Sequence, residues 1–395
     1  MNNRDIIKLT DKYVAKTYAR FPVALVRGKG TRVWDADGKE YLDFVAGIAV
    51  NSLGYNHPSV IGAIQRQSRK LLHISNLYHI APQSELAREL CRRSFADRVF
   101  FCNSGAEANE AAIKLARRYG GEWLGGKYEI LSAHNSFHGR TLATLTATGQ
   151  EKVRAGYNPL PEGFRHVPYN DLDAMEKAIG EKTVGIMVEP IQGEGGVIVP
   201  DEKYLQGLRG LCDRRRLLLI FDEVQVGMGR TGKLFAYEHY GVAPDIMTLA
   251  KALGGGLPLG AMLATEEIAQ SFGPGSHAST FGGNPLACSV GLAVLKALLQ
   301  GGVLKNCGRM GKIFFKGLQA LKGRFPFILD IRGRGLILGM ELDGQGNRIV
   351  DDCLKEGLLI NCTANRVLRF IPPLTIGERD IVRGLAILEK VLARR

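Results

Sequence analysis

The sequence predicts an α/β protein in which helices cover both faces of a mostly parallel central sheet, with a smaller α+β part beside it. Six short apolar runs, bounded by turn residues, recur between residues 58 and 289. These runs lack the polar alternation of half-exposed strands, and most of the segments between them have helical periodicity. The chain has 395 residues, of which 45% are hydrophobic and 23% charged, so it is long enough to bury more than one core. Buried strands that alternate with helices predict a sheet covered on both faces.

The first predicted unit lies in the amino-terminal part of the chain. Residues 32–44 contain two short β-type runs on either side of Asp37 and Gly38, a pair that favours a hairpin turn. From residue 58 the pattern changes, and residues 58–289 are predicted to form a large α/β domain. Its six apolar runs are residues 99–102, 128–131, 184–188, 217–221, 246–249 and 261–264.

A second pattern begins after Asn284 and Pro285. Helices are predicted at residues 286–299 and 312–321, followed by a last helix with Ile381, Leu385, Leu388 and Leu392 on one face. Strand-like runs are predicted at residues 336–342, 358–360 and 367–370. We expect residues 1–57 and 290–395 to form together a small, discontinuous α+β domain.

Composition excludes several classes of protein. Lys and Arg number 52 against 39 Asp and Glu, a net charge of +13, but the basic residues are scattered, which favours a solvated surface over a nucleic-acid groove. No stretch approaches the ~18 consecutive apolar residues of a membrane span. The amino-terminal residues lack an apolar signal core, and the seven cysteines form no C-x-x-C pair. We therefore expect a cytoplasmic protein with no nucleic-acid or membrane partner.

The segment at residues 103–109 follows an apolar run and opens a helical pattern. Ser104 and Glu107 have the spacing of a capping box, which satisfies N–H groups at a helix start. Gly105 allows a ligand to approach the backbone, and the free N–H groups of such a helix start bind phosphate. Taken alone, the segment fits an ordinary capped helix equally well.

Two strand ends place ionisable side chains at one predicted sheet edge. Asp222 and Glu223 follow the apolar run at residues 217–221, and Lys251 follows the next one. Open α/β sheets bind ligands at the carboxyl ends of their strands. A partly desolvated lysine can form a Schiff base, although a lysine that extends from a strand end to solvent is the commoner case. One of the two carboxylates is expected to face the site.

A glycine-rich loop at residues 227–233 offers a different interpretation. It matches most of a phosphate-binding P-loop and the glycine spacing of a dinucleotide fingerprint. Leu234 stands where a P-loop needs Ser or Thr, and neither motif has its required strand directly before it. An ATP- or dinucleotide-dependent protein therefore stays open as the alternative from another functional class.

Two further segments carry polar side chains. Phe137 and Arg140 follow a predicted strand together with His134 and His138, which have no third ligand nearby, so no metal site is predicted. Residues 276–285 lie at the boundary between the predicted domains, where pockets form, and their hydroxyl groups can bind phosphate. A plain polar linker explains the second segment as well.

Together these motifs supply a phosphate-binding helix start, an aromatic ring, an Asp and a Lys, a set that suits pyridoxal phosphate. On these motifs the chain resembles the class III aminotransferases, which are pyridoxal-phosphate enzymes of fold type I. The resemblance extends from about residue 20 to residue 374 and is most specific at residues 221–232, 249–256 and 279–285. It implies a large domain with a mostly parallel sheet and a smaller α+β domain.

The resemblance also implies roles for individual residues. Lys251 would hold the cofactor covalently and move a proton during catalysis, and Asp222 would pair with the ring nitrogen. The other cofactor-binding positions would be Ser104, Gly105 and Ala106 at the phosphate, Phe137 and Val224 on the ring faces, Gln225 at the ring oxygen, Glu223, and Thr280. Many relatives have Thr where this chain has Ala106, so one hydroxyl contact to the phosphate is missing here.

Substrate binding and assembly are implied in the same way. Arg140 would bind the α-carboxylate of the substrate, and Arg369 would bind a second carboxylate with Glu194 as its removable counter-charge. Thr280 and Ser279 would act in the site of a neighbouring subunit, so the resemblance implies a homodimer with shared active sites.

Within the family the chain is most similar to the acetylornithine aminotransferases of arginine biosynthesis. This similarity implies transfer of the terminal amino group of N-acetylornithine to 2-oxoglutarate. Ornithine, 4-aminobutyrate, succinylornithine and succinyl-diaminopimelate are the alternative amines, and a catalytically inert relative is a third possibility.

Overall fold

The structure, a computed structural model, describes residues 1–395. Its strands are β1 (Leu25–Lys29), β2 (Arg32–Asp35), β3 (Glu40–Asp43), β4 (Arg98–Cys102), β5 (Glu129–Ala133), β6 (Phe164–Val167), β7 (Thr183–Val188), β8 (Leu218–Asp222), β9 (Ile246–Leu249), β10 (Gly260–Ala264), β11 (Ile328–Arg334), β12 (Ile337–Leu342), β13 (Leu358–Leu359), β14 (Asn361–Thr363) and β15 (Val367–Phe370).

The helices precede, separate and follow these strands. They are α1 (Asn3–Tyr13), α2 (Ala46–Ala49), α3 (Pro58–Ser68), α4 (Ala81–Cys91), α5 (Gly105–Trp123), α6 (Leu142–Ala147), α7 (Glu151–Arg154), α8 (Leu172–Ala178), α9 (Glu202–Arg215), α10 (Glu266–Ala269), α11 (Pro285–Gln300), α12 (Val303–Arg324), α13 (Asn347–Lys355) and α14 (Glu378–Leu392). Short 3₁₀ turns lie at Ala236–His239 and Lys251–Gly254.

The central sheet has seven strands in the order β4-β10-β9-β8-β7-β5-β6. Strands β5 to β9 pair in parallel, and β10 is antiparallel to both of its neighbours. Every residue of β7, β8, β9 and β10 is buried, as expected for strands that helices cover on both faces. The predicted α/β fold with a mostly parallel sheet is confirmed.

Two smaller sheets are built from the flanking parts of the chain. One has the order β1-β2-β3-β13, and the other has the order β11-β12-β15-β14. The predicted hairpin joins β2 and β3, and Leu358 of β13 pairs in parallel with Leu42 of β3. Residues from the two ends of the chain therefore share a sheet. The exact domain boundaries near residues 57 and 290 stay a prediction.

The sequence patterns do not predict some of the elements, and the structure shows why. Strand β6 contains Arg165 and His166, and it lies at the edge of the central sheet, so it lacks an apolar run. Strand β11 carries the half-buried polar residues Asp330, Arg332 and Arg334, and its Leu329 is exposed, so it lacks a buried apolar run. Helix α2 is a single turn with positive φ angles from Ala46 to Ala49, a conformation that no periodicity indicates.

All seven cysteines carry free thiols. No single helix has the length and apolar content needed to cross a membrane. Helices α11 and α12 meet that criterion only as a pair, and they are bent by 64° at the break between them.

Candidate active site

A cavity of about 470 Å³ opens where five parallel strands end. Its lining includes residues at or just after the carboxyl ends of β4, β7, β8 and β9 and residues of the loop that follows β5, because these strands bring their carboxyl ends to one edge of the sheet. Residues far apart in the sequence therefore meet in this cavity. Lys251, Asp222, Ser104, Gly105, Ala106, Phe137, Arg140, Val224 and Gln225 all line it.

Lys251 lines the cavity from the loop that follows β9. Its φ is +43°, in the left-handed region that residues other than glycine rarely occupy. Backbone strain of this kind clusters at active sites, where the surrounding structure maintains it. Burial lowers the pKa of its amine, although the negative charges of Glu194 and Asp222 oppose that shift. A lysine with a lowered pKa is a better nucleophile and base at neutral pH.

Asp222 is the last residue of β8 and is 3% exposed. Its Oδ2 accepts a hydrogen bond from Asn109 Nδ2 at 2.7 Å and lies 2.8 Å from His138 Nδ1. Its Oδ1 accepts from the backbone N–H of Val224 at 3.0 Å. These donors stabilise a carboxylate in a buried position, where an unpaired charge is costly.

The amino terminus of α5 forms another wall of the cavity. Ser104 Oγ accepts from Glu107 N at 3.1 Å, and the Glu107 carboxylate accepts from Asn103 N at 2.7 Å. A Cβ on Gly105 would lie 2.7 Å from Val224 Cγ1, so only glycine fits between this helix start and Val224. The first N–H groups of the helix have no intrahelical acceptor, which makes this wall suitable for an anion.

The side walls of the cavity are apolar and aromatic. Val224 and Phe137 line it, and the Arg140 guanidinium lies 5.4 Å from the centre of the Phe137 ring. A helix start with free N–H groups, an amine with a lowered pKa and a buried carboxylate thus surround one cavity with apolar sides. The residues present fit pyridoxal phosphate, the cofactor that the sequence predicts.

Arg369 and Glu194 form the ion pair that the family resemblance implies. Arg369 Nη1 donates to Glu194 Oε1 at 2.6 Å and to Gln225 Oε1 at 3.0 Å. Arg369 is fully buried, but its Nη2 has no hydrogen-bond partner. Burial would raise the pKa of Glu194, but the attraction of Arg369 outweighs burial and lowers it overall.

A second cavity of about 760 Å³ adjoins the first and shares Phe137 and Arg140 with it. Glu194, Thr363 and Lys152 are among its lining residues. Polar residues dominate the lining of this second cavity, which includes Glu194 of the ion pair and suits charged small molecules.

Four of the predicted residues line neither cavity within one chain: Ser279, Thr280, Glu223 and Arg369. Thr280 is exposed, whereas Ser279 Oγ accepts from Asn103 Nδ2 at 3.1 Å and from Gly282 N at 3.0 Å. The loop that carries them is therefore attached to the segment preceding α5.

Glu223 does not contact the cavity, which corrects its placement among the cofactor-binding residues. The side chains of Glu223 and Asp222 point to opposite sides of the backbone. The Glu223 carboxylate accepts hydrogen bonds from Ala236 N and Tyr237 N at 2.7 and 2.8 Å. Successive residues at a strand end face opposite sides, so only one of the two carboxylates lines the cavity. Glu223 instead anchors the 3₁₀ turn at Ala236–His239.

The nucleotide-loop alternative at residues 227–233 is wrong. Arg230 in the middle of this loop is buried, and its guanidinium donates to the carbonyl oxygens of Leu336 and Pro372. The loop is thus packed against the carboxyl-terminal part of the chain, and a short 3₁₀ turn follows it where a P-loop needs a helix. Burial lowers the pKa of Arg230 to about 10.

Four residues of the site receive no cofactor or catalytic role from the sequence: Asn109, His138, Glu189 and Thr248. Glu189 lines the cavity and accepts from Phe137 N and Gly193 N, both at 3.0 Å. Burial, together with the charge of Asp222 and against that of His138, raises the pKa of Glu189 to about 7. The sequence suggests for His138 only the role of a metal ligand, which its lack of a third ligand excludes. His138 follows β5 in the sequence, and β5 and β8 end at the same edge of the sheet. This is the one sequence signal that could have linked His138 to Asp222.

The buried Glu223 makes the stability of the protein depend on pH. Burial raises its pKa from 4.5 to about 8, so the folded state binds this proton more tightly than the unfolded state does. The stability that the folded state gains from this tightly bound proton is fully present below about pH 4.5 and is lost as the pH rises to about 8. Relative to Glu223→Gln, wild-type stability should fall by about 1.4 kcal/mol per pH unit in this window.

Thermal unfolding of the protein at pH 5.5 and 7.5 would measure this effect. From pH 5.5 to pH 7.5, the unfolding temperature should fall further for the wild type than for Glu223→Gln. The control variant Glu181→Gln, at an exposed position, should behave like the wild type. Parallel pH dependences for Glu223→Gln and the wild type would contradict the assignment.

Comparison with known proteins gives the family. The family model described as Aminotransferase class-III matches residues 13–392. The acetylornithine aminotransferase of Caldanaerobacter subterraneus subsp. tengcongensis is 53% identical over 390 residues, covering 98% of this chain and 99% of that protein.

Solved structures agree with this match. The crystal structure of the acetylornithine aminotransferase from Elizabethkingia anophelis superposes with a TM-score of 0.89 at 34% identity and covers both chains completely, at 100% each. The ornithine aminotransferase from Toxoplasma gondii, described with partial occupancy of PLP at its active site, superposes with a TM-score of 0.96 at 36% identity and covers 100% of this chain and 94% of that one. The chain is a member of the class-III aminotransferases.

Proposed function

We propose that this aminotransferase uses pyridoxal phosphate to transfer the terminal amino group of N2-acetyl-L-ornithine to 2-oxoglutarate. The products are N-acetyl-L-glutamate 5-semialdehyde and L-glutamate, and the reaction belongs to arginine biosynthesis. The observation that carries the proposal is the buried Arg369–Glu194 pair at 2.6 Å beside a cavity that Lys251 and Asp222 line. The full-length relative at 53% identity is named for the same activity.

The cofactor-binding roles follow from the cavity lining. The N–H groups of Gly105 and Ala106, with Ser104, would hold the phosphate group. Val224 and Phe137 would pack against the ring, and Gln225 would contact its oxygen. When bound, pyridoxal phosphate supplies a carbonyl carbon that bonds to amines and a ring that withdraws electrons from them.

Lys251 would act at the reacting carbon atoms, and Asp222 would act at the ring nitrogen of the cofactor. Lys251 Nζ would anchor the cofactor and, once released, move a proton from one carbon atom to another as a general acid and base. The Asp222 carboxylate would hold a positive charge on the ring nitrogen, where its buried position strengthens the attraction. The lowered pKa of Lys251 favours the neutral amine that accepts the proton.

Arg140, Arg369 and Glu194 would let one pocket receive two unlike substrates. Arg140 is exposed at the cavity mouth and would bind the α-carboxylate of acetylornithine. Glutamate and 2-oxoglutarate carry two carboxylates, and the unpartnered Nη2 of Arg369 offers a donor for the second one. With an ω-amine substrate, Glu194 neutralises Arg369, so the pocket does not present an unpaired positive charge to an amine.

Replacement of Glu194 by Gln should therefore separate the two half-reactions. Removal of the charge leaves Arg369 unpaired, so the single-turnover rate with acetylornithine should fall about tenfold, while the rate with glutamate stays within about twofold. Stopped-flow absorbance with each amino donor measures both rates. If both rates match the wild type, the pair has only a structural role.

We also propose that the working unit is a cytoplasmic homodimer in which Ser279 and Thr280 complete the site of the neighbouring subunit. In support, Thr280 is exposed and Ser279 lies outside both cavities of its own chain. Free thiols at all seven cysteines are consistent with a reducing compartment.

Single-turnover rates with a panel of amines test the substrate. Purified holoenzyme should react fastest with N-acetylornithine, and more slowly with ornithine, 4-aminobutyrate, succinylornithine and N-succinyl-diaminopimelate. A faster reaction with another amine in the panel would reassign the substrate. Coloured protein that reacts with none of them would indicate an inert relative.

A further inference from the structure

The Asn109 side chain lies between α5, the central sheet and the loop after β5. Asn109 is 1% exposed, and its Nδ2 donates both hydrogens, one to Asp222 Oδ2 and one to His138 O, each at 2.7 Å. Its Oδ1 accepts from Thr248 Oγ1 at 2.7 Å. Asparagine is a poor residue for a helix interior, so a fully bonded buried amide in α5 calls for a reason beyond helix formation.

Thr248 determines which way this amide faces. Its hydroxyl donates to Asn109 Oδ1, which leaves Nδ2 on the side of Asp222 and His138. A flipped amide would place an oxygen 2.7 Å from two other acceptor oxygens, and buried acceptors without donors are costly. Thr248 lies on β9 directly opposite Asp222 on β8, so the sheet register itself positions this hydroxyl.

The donors divide unequally between the two oxygens of Asp222. Oδ2 interacts with both Asn109 Nδ2 and His138 Nδ1, whereas Oδ1 interacts with one backbone N–H, that of Val224. The two contacts to Oδ2 hold the carboxylate plane in one orientation. Oδ1 therefore keeps acceptor capacity for a group in the cavity.

We propose that Asn109 and Thr248 are positioning residues that orient the Asp222 carboxylate toward the cofactor ring. Asn109 lines the cavity and Thr248 does not, and neither is a catalytic group. Thr248 acts on Asn109, and Asn109 acts on Asp222. This inference rests on the proposed function, because it concerns how Asp222 is prepared for pyridoxal phosphate.

A matched pair of variants at Thr248 tests the first link. Thr248→Val keeps the branched shape and removes the hydroxyl donor, whereas Thr248→Ser keeps the donor. With Thr248→Val, the Asn109 amide loses the bond that fixes its orientation. The dissociation constant for pyridoxal phosphate, titrated into apoenzyme, should rise about tenfold, and for Thr248→Ser it should stay within about twofold of the wild type.

Asn109→Asp tests the second link. This change places a carboxyl group against the Asp222 carboxylate at the position of a donor, so affinity for the cofactor should fall on the order of a hundredfold. The visible absorbance of the bound cofactor at one fixed pH should change in Thr248→Val and Asn109→Asp, and it should match the wild type in Thr248→Ser. The unfolding temperature of each apoenzyme shows separately whether the substitution destabilises the fold.

The outcomes separate this inference from the proposed function. Weaker cofactor binding and an altered spectrum in Thr248→Val, restored in Thr248→Ser, support the positioning role. If Thr248→Val unfolds at a lower temperature but binds cofactor with the wild-type constant and spectrum, Thr248 is only structural and the inference is wrong. If the wild type itself does not bind pyridoxal phosphate, the proposed function fails first and this inference fails with it.

Discussion

Replacement of Lys251 by alanine should lower both half-reaction rates on the order of 10⁴-fold. The amine is the one group at the floor of the cavity that can bond to the cofactor carbonyl and then move a proton, and burial has already lowered its pKa. The variant should still bind pyridoxal phosphate without a covalent bond, because the α5 terminus and Asp222 remain. Single-turnover absorbance and equilibrium dialysis measure the two properties separately.

Lys233 provides the matched control for this experiment. It is an exposed lysine at the end of the glycine-rich loop, and its Nζ approaches only the carbonyl oxygen of Glu238. Lys233→Ala should keep both half-reaction rates within about twofold of the wild type, as expected for a surface substitution. Normal turnover by Lys251→Ala would refute the proton-transfer role.

Replacement of Asp222 by alanine should cost about 3–4 kcal/mol of transition-state stabilisation, a loss of about 10²–10³-fold in rate. The variant removes the only carboxylate at the end of β8 that lines the cavity, and with it the charge that holds a proton on the cofactor ring. It also leaves Asn109 Nδ2 and His138 Nδ1 without their acceptor. Some loss of stability should therefore accompany the loss of rate.

Asp222→Asn and Glu223→Gln separate the charge from the packing. Asn keeps the shape of Asp222 without its charge, so it should show most of the rate loss and less of the stability loss. Glu223 is adjacent in sequence but bonds to Ala236 N and Tyr237 N, so Glu223→Gln should leave the half-reaction rates nearly unchanged. Equal rate losses at the two positions would contradict the assignment of Asp222.

The strands that position the site could be predicted because they are buried on both faces. The runs at residues 217–221 and 246–249 are mostly apolar, short and bounded by turn residues, as is typical of buried strands, and β8 and β9 lie there. The Ser104–Glu107 spacing predicts the start of helix α5, because the two residues of this cap are only three positions apart in the sequence. Strand β6 could not be found in this way, because Arg165 is exposed at the sheet edge.

The site could be predicted only in part because its contacts cross long stretches of sequence. Asn109, Asp222 and His138 meet through bonds that span 113 and 84 residues, and no local spacing indicates them. The choice between Asp222 and Glu223 depends on which side of the strand end faces the cavity, and the sequence leaves that choice open. The Arg369–Glu194 pair, 175 residues apart, was predicted through family resemblance alone.

The central claim is that the Lys251 amine bonds to pyridoxal phosphate in the cavity beside Asp222. Reduction of the wild-type protein with borohydride in the presence of pyridoxal phosphate, followed by proteolysis and mass spectrometry, tests it most directly. We predict the added cofactor mass on the peptide that contains Lys251 and on no other lysine. Unmodified Lys251, or cofactor mass on Lys233 in its place, would contradict the account.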